Sequence, residues 1–339
     1  MNDFSDAPTL VRNFLTYKSS IQNRSVKTVF QYYHDLRTFF RYILKSAYPE
    51  KYKDMDYDEI PFSDVNDEIV TSIKSDDIYD YLSYVQSSRD NKSAARARKM
   101  SCLRSFYKYL TKVKCVMQEN PTERIDSVQI KKSLPKYLTL EQSHTLLDSI
   151  IGKNAERDYA IIILFLNCGF RVSELAGINL SDFSEGFESV VVTGKGSKQR
   201  ILYLNEACRN AIKAYLKVRP DNAKLTSKDA LFISRNRNRL SVQMIQTMIY
   251  NRLSAAGLGH LKLSVHKLRH TAATLMYQHG NVDVRVLKDI LGHEQMSTTQ
   301  IYTHLSTEQI KNAVNANPLS HESRKISTKQ LSDYENDED

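Results

Sequence analysis

Ser264-Val265-His266-Lys267-Leu268-Arg269-His270, then Leu291-Gly292-His293, then Tyr302-Thr303-His304, is the stretch on which the reading of this 339-residue chain turns. His266 and Arg269 are three residues apart, so on a helix they share a face and can reach one anion together. His293 follows a Leu-Gly of the kind that ends a helix, and Tyr302 lies further on in a segment that Ser297 can cap. An arginine suits a phosphate, a histidine suits proton transfer or a hydrogen bond, and a tyrosine can be a nucleophile. No carboxylate pair or metal cluster accompanies them. The chemistry these side chains fit is phosphoryl transfer without a metal.

Two stretches upstream bear on that reading. In Cys168-Gly169-Phe170-Arg171-Val172-Ser173-Glu174-Leu175, Gly169 ends or bends one helix, Ser173 is suited to begin another, and Glu174 is close enough to orient Arg171. Alone, an arginine beside a helix end reads as a surface ion pair. Val190–Thr193, Gly194-Lys195-Gly196 and Arg200–Leu204 read as two strands around a glycine-flanked turn. Alone, they make an ordinary hairpin with a solvated lysine. The spacing lacks the G-x-x-x-x-G-K-[ST] of a nucleotide-binding loop. His266, His270, His279 and His293 have no companion cysteine or acid at a zinc-site spacing, and a lone Tyr302 reads as a half-buried aromatic.

Taken in order, these elements form a specific pattern. His266-Lys-Leu-Arg269-His270-Thr, Leu-Gly-His293 and Thr-Thr-x-x-Tyr302 resemble box II of the tyrosine recombinases, the lambda-integrase family, with the nearest likeness to the Xer-type enzymes. Gly169-x-Arg171-x-Ser173-Glu174-Leu175 resembles box I. The resemblance implies a mainly α fold: an N-terminal four-helix, SAM-like core-binding domain, and a helical catalytic domain with a small β-hairpin. It implies Tyr302 as nucleophile, Arg171 and Arg269 as phosphate clamps, His266 in proton transfer, His293 on the phosphate and Lys195 as proton donor to the leaving oxygen, with Glu174 in support. The implied reaction is site-specific DNA cleavage and rejoining through a 3′-phosphotyrosine and a Holliday junction, with no cofactor, metal or ATP. The implied partners are double-stranded DNA and further copies of the chain, as a homotetramer on two sites, with or without a partner recombinase. The biological task would be Xer-like dimer resolution, or integration, excision or inversion of an element. Two other classes stay open: a sequence-specific DNA-binding regulator with an inactive site, for which Val284–Tyr302 can pass as helix-turn-helix, and a type IB topoisomerase.

The N-terminal part has helical periodicity throughout. Leu10, Val11, Phe14 and Leu15 form one stripe behind Pro8, and Ser25 caps a long helix through Leu44. Ser75 caps a third helix, and a fourth runs from about Ser93 to Leu110. The outer positions of that fourth helix read Lys92, Arg96, Arg98, Lys99, Arg104 and Lys108. Arg96, Lys99, Arg104 and Lys108 are candidate DNA contacts, as is Arg237 in the basic loop 235–239; alone, each set reads as a solvated face. The expected boundaries are 1–118 for the core-binding domain, 119–137 for an extended linker, 138–317 for the catalytic domain and 318–339 for an acidic, disordered tail. Residues 47–74 depart from the family pattern and read as a solvated acidic insertion. A final helix capped by Ser306 or Thr307 packs on its own domain by default, or docks in a neighbour as Xer-type enzymes do.

Composition agrees with a polyanionic partner. The chain holds 48 Lys+Arg against 39 Asp+Glu, net +9. Residues 333–339 carry five acids and no base, and residues 47–74 are net −5, so the remainder is strongly basic. Four cysteines without C-x-x-C spacing read as free thiols of a reducing cytosol. The longest apolar run, Ala160–Leu166, is far short of the roughly 20 residues of a membrane span, and the acidic, polar N-terminus is not a signal peptide. A cytoplasmic protein with no membrane partner is the expectation.

Overall fold

In the computed structural model, which describes residues 4–89, 91–129, 136–194, 199–221, 224–291 and 307–324, the chain divides between Ser133 and Leu134 into two units. The first is helical: α1 (Thr9–Thr16), continued by one π-helical turn over Tyr17–Ile21, α2 (Val26–Ala47), α3 (Asp67–Ser72), α4 (Ser75–Ser87) and α5 (Ser93–Lys112). The stripe expected of α1 is the one it buries, Leu10, Val11, Phe14 and Leu15. Ser25 caps α2 by accepting from the Thr28 N–H at 3.3 Å. Aromatic edges hold the core: Phe14 meets Phe106 at 5.2 Å and Phe39 meets Tyr81 at 5.0 Å between ring centroids.

Four expectations for this unit change. The cap of α4 is Lys74, whose N–H donates to the Asp77 carboxylate at 2.8 Å. Ser75 is already helical, and its hydroxyl donates to the Pro121 carbonyl at 2.9 Å. Residues 47–74 are not a solvated insertion. Tyr52, Ile60, Phe62, Val65, Val70 and Ile73 are buried in the same core as α1 and α5, while the Asp64 carboxylate takes the Tyr52 hydroxyl at 2.7 Å and the Lys51 ammonium at 2.9 Å. The acids line the outside of a packed segment. The stretch read as a linker from residue 119 begins on this unit too, since Ile125 is buried in the core and Arg104 donates to the Ser127 hydroxyl. Lys99 is not on the outer face of α5: it is buried, 3.4 Å from the Asp35 carboxylate and over the Tyr81 ring. Burial depresses its pKa while Asp35 pulls it back up.

The second unit is organised on α7 (Ala155–Cys168), whose residues from Asp158 to Cys168 are all buried. Around it stand α6 (Leu140–Asp148), α8 (Val172–Gly177), α9 (Glu206–Val218), α10 (Val242–Ala255) and α11 (Val265–Gly280), and then α12 (Val284–Leu291) and α13 (Thr307–Asn315). Thr139 and Gln142 cap α6 reciprocally, each accepting from the other's backbone N–H. The buried Asp158 ties α7 to α10, taking Arg252 through Nε at 2.9 Å and Nη2 at 2.6 Å. The hairpin pairs β1 (Ser189–Thr193) with β2 (Gln199–Tyr203) antiparallel, Val192 opposite Arg200 and Val190 opposite Leu202. The expected mainly α architecture with one small hairpin is what the described residues form.

The C-terminal helix packs on its own unit. Ala313 and Val314 join Ala272, Met276, Val286, Leu287 and Ile290 in an apolar cluster between α11, α12 and α13. Buried amides extend the contact: Asn317 donates to the Leu166 carbonyl at 3.0 Å, and Asn205 to Asn167 at 2.7 Å and to the Val314 carbonyl at 3.3 Å. The tail expected to be disordered from 318 starts with order, because Leu319 is fully buried and Arg324 pairs with Glu156. The acidic residues from 325 onward lie outside the described residues.

Candidate active site

Gly169 makes the corner on which the site is built. It ends α7 in the left-handed region (φ 61°, ψ 39°), which a residue with a Cβ adopts at a cost. A Cβ there would also stand 2.6 Å from the Leu291 Cδ2 and 3.5 Å from the Arg269 Cγ. The corner therefore lets α7 turn while α11 and the end of α12 close over it. Two residues later Arg171 occupies the N-cap of α8, which starts at Val172, one residue before the Ser173 expected to begin it.

Arg171 is held from both ends by Glu174. Its backbone N–H donates to Glu174 Oε2 at 2.8 Å and its Nη1 to Oε1 at 2.7 Å, so Glu174 caps the helix and orients the guanidinium at once. The Glu174 side chain is only 1% exposed. A second arginine reaches the same carboxylate: Arg200 on β2 donates Nη1 to Oε1 at 2.6 Å and Nη2 to Oε2 at 3.0 Å. Burial pushes the Glu174 pKa up, but the hydrogen bonds from Arg200 and Arg171 outweigh it and leave the carboxyl below its ordinary value. Glu174 is a committed anion.

Arg269 lies in α11, buried against the same corner. Nη1 donates to the Gly169 carbonyl at 2.7 Å and Nη2 to the Leu291 carbonyl. Both acceptors lie at helix C-terminal ends, where the exposed carbonyls favour a cation. Its pKa is still lowered to about 10, first by burial and then by the positive charge of Arg171, with Glu174 opposing and Arg200 adding to the depression. Arg171 and Arg200 thus share the Glu174 carboxylate, while Arg269, close enough to feel all three charges, is held by backbone carbonyls. Guanidinium groups gathered in a partly dry setting repel one another, and an anion placed among them relieves that repulsion.

The other candidates divide. His266, one turn before Arg269, is exposed. The His270 pKa is depressed by burial and then by Lys267, Arg269 and His266. Lys195, His293 and Tyr302 lie outside the described residues. Among the DNA-contact candidates, Lys108 is exposed, Arg96 donates to Gln86, and Arg104 is half-buried against residues 125–127. Arg237 is half-buried with φ 62°, and its carbonyl accepts from the Lys224 N–H. Its neighbour Arg239 turns inward and fastens the end of α8 through the carbonyls of Gly177 at 2.9 Å and Ile178 at 3.0 Å. Among the described residues no group of three or more His, Cys, Asp or Glu side chains could hold a metal, and no helix is long and apolar enough to cross a membrane.

Arg200 was read only as strand. A signal for it existed: positions 200, 202 and 204 alternate onto one face, and Leu202 and Leu204 are core residues. A charge on the inward face of a hairpin requires a buried counter-charge, and Glu174 provides it.

The comparisons with known proteins agree with this geometry. The phage integrase family model matches residues 136–309, and the N-terminal SAM-like domain model of phage integrases matches residues 60–114. The tyrosine recombinase XerC of Caldanaerobacter subterraneus subsp. tengcongensis is 50% identical over 315 residues, covering 93% of this chain and 88% of the relative. The tyrosine recombinase XerD of Proteus mirabilis is 38% identical over 223 residues, 65% of this chain and 71% of that one. Among solved structures, the XerH site-specific recombinase bound to a palindromic difH substrate in a post-cleavage complex has the same fold, with a TM-score of 0.62 at 18% identity over 93% of this chain and 95% of that one. The likeness to XerC over 93% of the chain and the match of the integrase model over a range that includes both Arg171 and Arg269 mean that the chain belongs to the phage integrase family, as a tyrosine-type site-specific recombinase of the Xer kind.

Proposed function

We propose that the chain cleaves and rejoins double-stranded DNA through a covalent 3′-phosphotyrosine, working as a tetramer on two paired sites and passing through a Holliday junction. Tyr302 attacks the scissile phosphorus, its proton passing toward His266. The bond from phosphorus to the 5′ oxygen of the downstream sugar breaks, and Lys195 protonates that leaving oxygen to a 5′-hydroxyl. Arg171 and Arg269 take the non-bridging oxygens, where charge builds in the transition state, and His293 donates to the same phosphate. Because one phosphodiester is exchanged for another, the covalent intermediate keeps the bond energy, so rejoining to a second strand needs neither ATP nor metal. The task served is Xer-like dimer resolution, or integration, excision or inversion of a DNA element.

The observation that carries this reading is the gathering at one corner of the half-buried Arg171, bound to the buried Glu174 carboxylate, and the buried Arg269, bound to the Gly169 carbonyl. Guanidinium groups gathered in this way suit the non-bridging oxygens of a phosphate diester. We further propose that the residues up to about 118 grip the duplex, with Arg96, Arg104 and Lys108 as phosphate contacts, joined by Arg237 from the second unit. Lys99 is left out of that set, since its ammonium is buried beside Asp35.

The test is covalent capture. Nicked duplexes pooled from fragmented genomic DNA of the source organism are incubated with wild type and with Tyr302→Phe in EDTA, then separated under denaturing conditions. An adduct with wild type alone supports the proposal, and sequencing the captured DNA identifies the site. Binding of the pool by both proteins with no adduct from either would favour a DNA-binding regulator instead.

A further inference from the structure

We infer that Arg239 is a positioning residue for the cleavage reaction: it joins the turn that carries Arg237 to the end of α8, so that a phosphate held by the turn helps set where Arg171 stands. This rests on the phosphotyrosine reading and on Arg237 as a phosphate contact, and adds a residue to both. The turn is tight. Ile233 pairs with Arg239 across its base, the Ser234 N–H donates to the Asn238 carbonyl at 2.7 Å, and the Arg237 N–H donates to the Ser234 carbonyl at 2.9 Å. Arg237 takes a left-handed backbone there (φ 62°), a conformation that costs a residue with a Cβ energy, and its carbonyl accepts from the Lys224 N–H at 2.9 Å. The turn therefore presents Arg237 from a fixed backbone.

From the far arm of that turn the Arg239 guanidinium reaches the carbonyls that close α8. Nη1 is shared among those of Ala176 at 3.2 Å, Gly177 at 2.9 Å and Ile178 at 3.0 Å, and Nη2 donates to the Asn179 side-chain oxygen. Carbonyls at the end of a helix have no partner within it, and a cation is favoured beside them. The Arg239 backbone is itself held, its N–H donating to the Ser227 hydroxyl at 2.8 Å. The near arm meets the same place through backbone alone: the Leu231 N–H donates to the Ile178 carbonyl at 3.0 Å, and the Asp229 carbonyl accepts from the Leu180 N–H at 2.7 Å. Those bonds fix the chain that follows α8, while Arg239 fixes the helix. With six residues and Arg171 at its N-cap, α8 places the anchored end about 9 Å from the Arg171 backbone. A helix that short moves as one body, and a small displacement of a phosphate clamp costs much of the rate.

The experiment measures three quantities on one nicked duplex carrying the site recovered by covalent capture: the rate of adduct formation at saturating DNA, the Kd by fluorescence anisotropy, and the melting temperature. The variants are Arg239→Met, Arg239→Lys, Arg237→Gln and the double variant Arg239→Met/Arg237→Gln. Well below its melting transition, Arg239→Met should cleave about 10-fold more slowly, with Kd within about threefold of wild type. Arg239→Lys should recover part of the rate, since an ammonium still suits the helix end but cannot span its carbonyls as a guanidinium does. Arg237→Gln should weaken binding, lower the salt slope by about one, and slow the saturated rate by about three- to fivefold. In the Arg239→Met background the same change should cost under about twofold in rate, with its loss of affinity undiminished. A wild-type saturated rate in Arg239→Met, with only the melting temperature lowered, would make Arg239 merely structural and overturn the proposal. An Arg237→Gln protein that loses affinity alone would overturn it too, leaving the phosphate contact standing; one that loses neither affinity nor rate would remove both. Absence of a Tyr302-dependent adduct from wild type would overturn the phosphotyrosine reading, and the role of Arg239 with it. Should Arg239→Met not fold, Arg239→Lys and Arg239→Gln carry the same comparison.

Discussion

Substituting Gly169 by alanine perturbs the corner in two separable ways. The backbone at φ 61° is left-handed, and placing a Cβ there costs about 1–2 kcal/mol. The new methyl also starts 2.6 Å from the Leu291 Cδ2, so that side chain must move. Overpacking of this kind costs about 1–3 kcal/mol, less where the neighbour is the end of a flexible side chain. Together the second unit should lose about 2–4 kcal/mol, which for a unit of this size lowers its melting temperature by roughly 4–16 °C. Calorimetry of the full chain reads the shift. The two parts separate in a double-mutant cycle with Leu291→Ala, which removes the clashing atom and leaves the backbone cost: the pair should show a favourable coupling of about 1 kcal/mol or more. Because the Gly169 carbonyl accepts from Arg269 and Arg171 follows two residues later, cleavage should fall further than stability. A Gly169→Ala protein that melts within a degree of wild type, or a cycle with no coupling, would refute the packing described for this corner.

Three further outcomes follow from the same geometry. Arg171→Ala should abolish adduct formation while DNA affinity stays within a few fold by fluorescence anisotropy; a large loss of binding would count against its part in the transition state. Glu174 has its pKa lowered in the folded state, so its stabilisation is complete above the ordinary glutamate value of 4.5 and is lost as pH falls through the lower folded value. The stability gap between wild type and Glu174→Gln, measured by urea unfolding, should thus be flat near neutral pH and narrow only on acidification; narrowing toward alkaline pH would contradict the assignment. Asp35→Ala strands the buried Lys99 ammonium without its carboxylate and should cost the first unit about 3–5 kcal/mol in urea unfolding, the penalty of breaking a buried pair. A change under about 1 kcal/mol would mean that the pair is solvated.

Legibility followed how local the deciding physics was. The helices announced themselves through apolar stripes and caps, so Ser25, Thr139 and the hairpin registered within a residue or two. Gly169 was legible because glycine followed by Arg-x-x-Glu has a local reason: a left-handed stop, then a carboxylate that caps the next helix. What failed was anything decided across the chain. Residues 47–74 looked solvated because their acids outnumber their bases, yet Tyr52, Ile60 and Phe62 are buried in the core, and the Phe62 ring meets Tyr33 and Phe40 on a different helix. Lys99 looked like one more member of a basic face, because its partner Asp35 lies on a different helix. The tail from 318 was judged on polarity, while Leu319 and the Asn317 amide found partners on α7 and its neighbours. Arg200 was missed for the same reason, since its inward position has meaning only once Glu174 is known to be buried.

The central claim is that Tyr302 becomes joined to the 3′ phosphate of a cut strand, with Arg171 and Arg269 on that phosphate. The most direct measurement captures the adduct on a nicked duplex in EDTA, digests the DNA with nuclease and the protein with trypsin, and locates the nucleotide-bearing peptide by mass spectrometry. The account predicts a single modified peptide, with a 3′-phosphoryl nucleotide on Tyr302 and a free 5′-hydroxyl on the released strand. Modification of any other residue, or a phosphate left on the 5′ end, would contradict it.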